Sequence, residues 1–205
     1  MRNPFPKPTP LQSNRMTEMI GIAENLEHNQ WTTGHRSLSI RGSSSLVWLT
    51  REEETSAKLQ HSSFVPYDMS TKTQVLPINF LLPPDVDIHA EIYRLYPQAQ
   101  CVVFASMTSC FECPEHIVGH RGAEAIQLRC DANGSGLAPE LNASVVDFDK
   151  NIQRLANAFP LILKPKISLL IVKRFGVYTW AKAPRDALKN LQTCESFCRT
   201  VVSTI

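Results

Sequence analysis

The stretch Ile167–Val172 constrains this chain of 205 residues more than any other. It is short, apolar and rich in branched side chains, which reads as a buried strand. It leads through Lys173-Arg174-Phe175-Gly176 into Val177–Ala181, a second strand, so the pair predicts a hairpin. Pro184 and Asp186 then open a helix that runs to near the C-terminus. A strand pair followed at once by a long helix commits the chain to a sheet with antiparallel neighbours and helices laid on it.

The same reading extends upstream. Ser37–Arg41 and Leu46–Thr50 flank Gly42-Ser43-Ser44-Ser45, a second hairpin signal, and Phe64–Tyr67 and Gln74–Ile78 are further candidate strands. Met16, Met19, Ile20, Ala23 and Leu26 recur at helical spacing, which predicts a helix from Met16 to His28 with Ser13 or Asn14 as its cap. Pro83-Pro84-Asp85 opens another helix, with Ile88, Ile92, Leu95 and Tyr96 as its buried stripe and Pro97 as its stop. Cys101–Phe104 reads as a buried strand and residues 108–118 as helix. Ile152, Leu155, Ala156 and Phe159 mark a helix with Pro160 behind it. No Gly-rich phosphate loop follows a strand, which speaks against a doubly wound parallel sheet. The expectation is one α/β domain over 16–205, preceded by a Pro-rich extended arm over 1–15.

Composition narrows the function classes. Lys and Arg number 21 against 19 Asp and Glu, and the basic residues are dispersed, so no nucleic-acid footprint is expected. No stretch approaches the roughly 20 apolar residues that span a bilayer. No apolar signal region opens the chain, so a cytoplasmic protein is expected, with organellar targeting by the basic, Pro-rich arm left open. Six cysteines in a chain this long do not make a small disulfide scaffold, and Cys194 and Cys198 fall on one helix face with Leu188, Leu191 and Val201 as core residues.

Several segments, in order, carry a resemblance. Phe175-Gly-Val-Tyr-Thr-Trp180 follows the strand Ser168–Val172 and precedes the long last helix. Asp85-Val-Asp-Ile-His89 is followed by Ile92-Tyr-Arg94 and Pro97. Val102-Val103 leads into Phe104-Ala-Ser106, and Arg36-Ser-Leu-Ser39 is followed by Arg41. Together they resemble the class II aldolase/adducin family, most closely its methylthioribulose-1-phosphate dehydratase branch. The resemblance implies a three-layer α/β domain with a central mixed, largely antiparallel sheet and helices on both faces. It also implies a divalent metal, commonly zinc, held by a His-x-His motif and a third His before a Gly. An acid/base Glu and two phosphate-cradling turns complete the implied site.

This chain departs at each point. The His-x-His positions match Phe104 and Ser106, and the third His position matches Phe175. A phenyl ring has no lone pair to give a metal, and serine is a poor neutral ligand. The acid/base position matches Asp85, which also sits where a helix cap belongs. The first phosphate turn is Arg36-Ser37, and the second falls near Glu52-Glu53, whose charge repels a phosphate. These positions, Arg36, Ser37, Glu52, Phe104, Ser106 and Phe175, read as a vestigial pocket in which Phe104 and Phe175 form an apolar plug. His89 reads as a packed or surface residue, and Tyr178 and Trp180 as core or subunit packing.

The expectation is therefore a non-catalytic domain that needs no cofactor and acts by interaction, as a homo-oligomer of the tetrameric kind the resemblance implies or as a subunit of a hetero-complex. The alternative is a sugar-phosphate lyase or dehydratase with a relocated zinc. Cys110, Cys113, His116 and His120 offer the right donor types for it, although the spacing lacks the usual gap between a Cys pair and a His pair. A third reading keeps a metal-free small-molecule pocket beneath Arg36.

Overall fold

The computed structural model describes residues 6–30, 32–52, 58–75, 80–107, 125–128, 141–147, 151–163 and 167–203. In chain order these form α1 (Pro10–His28), β1 (Thr32–Arg41), β2 (Leu46–Thr50), a 3₁₀ turn (His61–Ser63), β3 (Phe64–Asp68), β4 (Thr73–Gln74) and α2 (Val86–Leu95). They continue as β5 (Cys101–Met107), β6 (Ala125–Leu128), β7 (Leu141–Asp147), α3 (Ile152–Ile162), β8 (Leu169–Lys173), β9 (Gly176–Ala181) and α4 (Pro184–Ser203).

All nine strands join one sheet in the order β4-β3-β2-β1-β5-β9-β8-β7-β6. Every neighbouring pair is antiparallel except β7 and β8, which run parallel. That exception follows from the connection: β7 reaches β8 through α3, and a parallel neighbour needs a crossover of this length. The expected α/β class, with a mixed, largely antiparallel sheet and helices on both faces, is the observed one.

Strand alternation sorts side chains onto two cores. On one face Leu38, Ile40, Val103, Ala105, Leu169, Ile171 and Val177 pack with Met16, Met19 and Leu26 of α1 and Leu191, Cys194 and Cys198 of α4. On the other, Val102, Phe104, Leu170, Val172, Tyr178 and Trp180 pack with Ile88, Ile92 and Tyr93 of α2 and Leu155, Ala156 and Phe159 of α3.

Several boundaries differ from expectation. The helix α1 starts at Pro10, inside the stretch read as an extended arm. Its cap is Thr9, which exchanges hydrogen bonds with Gln12 in a capping box, rather than Ser13 or Asn14. The reason is that proline is well suited to the first helical position, where its missing N–H has no partner to lose. Pro160 lies within α3 rather than behind it. Of the strand expected at Gln74–Ile78, Gln74 lies in β4, and 76–78 lie outside the described residues. Strands β6 and β7 had no counterpart in the sequence reading, and the helix expected over 108–118 lies outside the described residues. Among the described residues no helix is long and apolar enough to cross a membrane.

Candidate functional site

The strand β1 and the helix α2 build the centre of the site. Alternation turns Ser37 and Ser39 toward α2, and four-residue steps bring Asp85, His89 and Tyr93 to one side of that helix. Ser37 Oγ donates to Asp85 Oδ2 at 2.7 Å and lies 2.7 Å from His89 Nε2. Ser39 Oγ lies 2.7 Å from His89 Nδ1 and 3.0 Å from the Tyr93 hydroxyl. All five of these residues are buried. Ser37 has a single proton, and it goes to Asp85. Ser37 therefore accepts from His89 Nε2–H. With a neutral imidazole His89 Nδ1 accepts from Ser39, and Ser39 accepts from Tyr93. In that state the hydroxyls of Tyr93, Ser39 and Ser37 all donate toward Asp85.

Asp85 does stand at the N-cap of α2, as expected, but its side chain makes no capping bond. Its carboxylate turns inward instead, and the Tyr178 hydroxyl donates to the same Oδ2 at 2.9 Å. Burial, followed by the Asp85 charge and its hydrogen bond, pushes the Tyr178 hydroxyl well above the usual phenol range, so it remains a donor. The residue is fully enclosed, with 0% of its surface exposed.

Aromatic rings stack beside Tyr178, the donor to this carboxylate. Phe104 of β5 stacks on Tyr178 of β9 at 4.5 Å between ring centroids and on Phe175 at 4.9 Å. Phe175 sits in the tight turn between β8 and β9. Ser106 Oγ donates to the Phe175 carbonyl at 3.1 Å and ties that turn to β5. Gly176 permits the close approach. Its φ is +156°, and a Cβ there would lie 2.5 Å from the Ala105 carbonyl and 2.7 Å from the Phe104 ring.

At the far end of α2, Arg41 closes the helix. Its Nη2 donates to the Tyr93 carbonyl at 2.7 Å and its Nε to the Ala99 carbonyl at 2.8 Å, while the guanidinium lies 4.7 Å from the Tyr93 ring centroid. A cation at a helix C-terminus also meets the favourable end of the helix dipole. Burial lowers its pKa from the ordinary arginine value.

The residues singled out from the sequence divide into two sets. Ser37, Asp85, Phe104, Ser106 and Phe175 come together on the α2/α3 face of the sheet. Arg36 does not join them. It neighbours Ser37 on β1 and so faces α1, where Glu27 is the charge that acts on it. Its Nε and Nη2 are buried without a hydrogen-bond partner. Glu52 is exposed just beyond β2, and its backbone N–H donates to the Leu81 carbonyl. Glu53 and the set Cys110, Cys113, His116 and His120 lie outside the described residues. The sequence reading missed the joint role of Ser39, His89, Tyr93 and Tyr178. The signal was there: serines two apart on a strand, and Asp85, His89 and Tyr93 four apart on a helix.

A zinc ion does not fit the donor set at the ring cluster. Phe104 and Phe175 offer no lone pair, and the Ser106 hydroxyl is committed to a carbonyl. Among the described residues no group of three or more His, Cys, Asp or Glu side chains could hold a metal.

Comparison with known proteins gives the frame for this geometry. No curated protein sequence matches. Among solved structures, an aldolase II superfamily protein from Pseudomonas syringae superposes with a TM-score of 0.72 at 12% identity, covering 96% of this chain and 77% of that one. L-fuculose-1-phosphate aldolase from Thermus thermophilus superposes at 0.68 with 15% identity, covering 94% and 96%. A sugar-phosphate aldolase from Thermotoga maritima gives 0.68 at 12% identity, covering 93% and 94%. At such identities the likeness speaks for the fold. The family model for the class II aldolase and adducin N-terminal domain matches residues 15–202. This chain belongs to the class II aldolase and adducin N-terminal domain family.

Proposed function

We propose that this chain is a non-catalytic class II aldolase-like domain that acts through protein interaction or as a subunit of an assembly. One observation carries the reading: Asp85, at the position matched to the acid/base residue, is fully buried and accepts hydrogen bonds from Ser37 and Tyr178. A general acid or base must come within about 2.6–3.2 Å of the proton it transfers. A carboxylate with no exposed surface and two hydroxyls already on one oxygen supports a structural role for Asp85.

The matched metal positions support the same reading. The family's chemistry uses a divalent cation as a Lewis acid. At the positions matched to its ligands this chain has two phenyl rings and a committed hydroxyl, and no cofactor is expected. Within the family, we read the motifs as those of the methylthioribulose-1-phosphate dehydratase branch. A cytoplasmic homo-oligomer or hetero-complex is the expected form.

The test is metal content by elemental mass spectrometry on purified, tag-free protein, paired with two assays. These are aldol cleavage of L-fuculose 1-phosphate and dehydration of methylthioribulose 1-phosphate, each with and without chelator. The expected result is no stoichiometric metal and no turnover. About one zinc per chain, with turnover abolished by chelator, overturns the proposal. A Cys110→Ala, Cys113→Ala double variant then decides whether the 110–120 segment holds that zinc. Light scattering of the same sample gives the oligomeric state.

A further inference from the structure

A second concave site lies away from the sealed cluster, beside the turn that precedes β2, at the opposite end of that strand from Thr50. Two turns and the outer faces of two helices enclose a groove of about 260 Å³. Its apolar floor is Met69, Ala90 and Ala156. Above the floor stand Ser44 and Ser45 from the β1–β2 turn and Gln153 and Asn157 from α3. Charged residues complete the rim: Lys72 lies 3.7 Å from Asp87, and Arg94 Nε lies 2.7 Å from Glu91.

We propose that this groove binds a neutral polyhydroxylated molecule of monosaccharide size. Three observations select that class. First, both cations of the rim are already matched by carboxylates. A charged ligand would compete with these carboxylates, whereas a neutral one leaves both ion pairs standing. Second, the remaining capacity is mixed. The hydroxyls of Ser44 and Ser45 enter no hydrogen bond among the described residues. Gln153 Nε2 donates to Asn157 Oδ1 at 3.3 Å, which leaves the Gln153 oxygen and the Asn157 amide hydrogens in reserve. The Lys72 ammonium and Arg94 guanidinium hold further N–H groups, and the Asp87 and Glu91 carboxylates hold further lone pairs. Hydroxyl groups donate and accept at once, so a ring bearing several of them matches a lining that offers both. Third, the volume lies just under the roughly 300–1,000 Å³ of drug-sized sites, and the apolar floor suits the C–H face of one small ring.

The backbone adds a point in favour. Lys72 has φ of +55°, a conformation that glycine or asparagine adopts more readily than a long side chain. The turn therefore holds an ammonium group at the groove's edge at a position with some conformational cost.

The experiment is a ¹H–¹⁵N correlation titration of the full chain with D-glucose, D-galactose and D-mannose, each to 100 mM, on the order of the weak affinity expected for an open site. Glucose 6-phosphate serves as the charged comparator. The expected result is saturable shifts at the amides of Ser45, Ala90 and Asn157 with at least one free sugar, and no tighter binding of the phosphate ester. Ala90→Leu fills the floor and is expected to weaken binding at least ten-fold. Gln153→Ala, on the exposed side of α3, gives a second reading if the leucine variant does not fold. Absent or non-saturable shifts with all three sugars overturn the proposal. So do shifts away from the groove, tighter binding of the phosphate ester, or full retention of binding in folded variants.

Discussion

The strand β1 meets burial in two ways within five residues. Leu38 and Ile40 face α1 and α4 and are held by apolar contact alone, which has no direction and tolerates repacking. Ser37 and Ser39 face α2 and are held by hydrogen bonds to Asp85, His89 and Tyr93, each with one allowed orientation. Both faces are equally dry, yet they respond differently to change. The apolar side loses stability in proportion to the methylenes removed. The polar side loses it in steps, because removing one member leaves its neighbours buried without partners.

His89→Ala breaks the comparison most severely. It removes one hydrogen bond from each of Ser37 and Ser39 and leaves a cavity, with an expected loss of about 3–5 kcal/mol. Denaturant unfolding measures it, and a loss near 1 kcal/mol means the serines find other partners. Phe104→Ala removes the middle ring of the stack and is expected to cost about 3–4 kcal/mol. It also opens a way to Asp85, so a carboxyl-directed reagent that leaves Asp85 unlabelled in the parent protein should label it in this variant, as mass spectrometry would reveal. Tyr178→Phe deletes one donor to Asp85 and keeps the ring, for about 1–2 kcal/mol. Ile40→Val, on the apolar side, is expected to cost only about 1 kcal/mol.

Solution pH sharpens the contrast further. Tyr93 and Tyr178 both have hydroxyls raised well above the ordinary value of 10.0, chiefly by burial. A raised pKa means that the folded state holds its proton more tightly than the unfolded one. The stabilisation is fully present below pH 10 and is lost progressively as pH rises above it. Tyr178→Phe should flatten part of that alkaline slope in thermal unfolding, and Ile40→Val should leave it unchanged.

How much of this was legible depended on distance along the chain. The helix α2 and the pair β8–β9 were plain because their signals are local: a four-residue apolar stripe, and a hydrophobic run with a turn. β7 was passed over although Leu141–Val145 alternates apolar with polar residues, and its place in the sheet comes from a parallel partner reached through α3. α1 was misread at its start because prolines that usually mark extended chain also fit a helix's first turn. At the site, the meeting of Phe104 and Phe175 was foreseen through the family motif. The bond between Ser37 and Asp85 was not, since it joins residues 48 positions apart and no local pattern specifies it. Arg36 was grouped with its neighbour Ser37, and a strand sends adjacent side chains to opposite faces.

The strand order carries a consequence for the chain as it is made. β5 is an apolar strand whose two sheet neighbours are β1, long since synthesised, and β9, still to come. At the usual pace of about 5–20 residues per second, some 70 residues separate its end from the start of β9, a wait of roughly 4–14 seconds. Throughout that interval Cys101–Met107 presents an unpaired hydrophobic edge, the kind of surface that recruits other strands. The nascent protein is thus most vulnerable to aggregation, and most in need of a chaperone, before the ribosome has delivered its final hairpin.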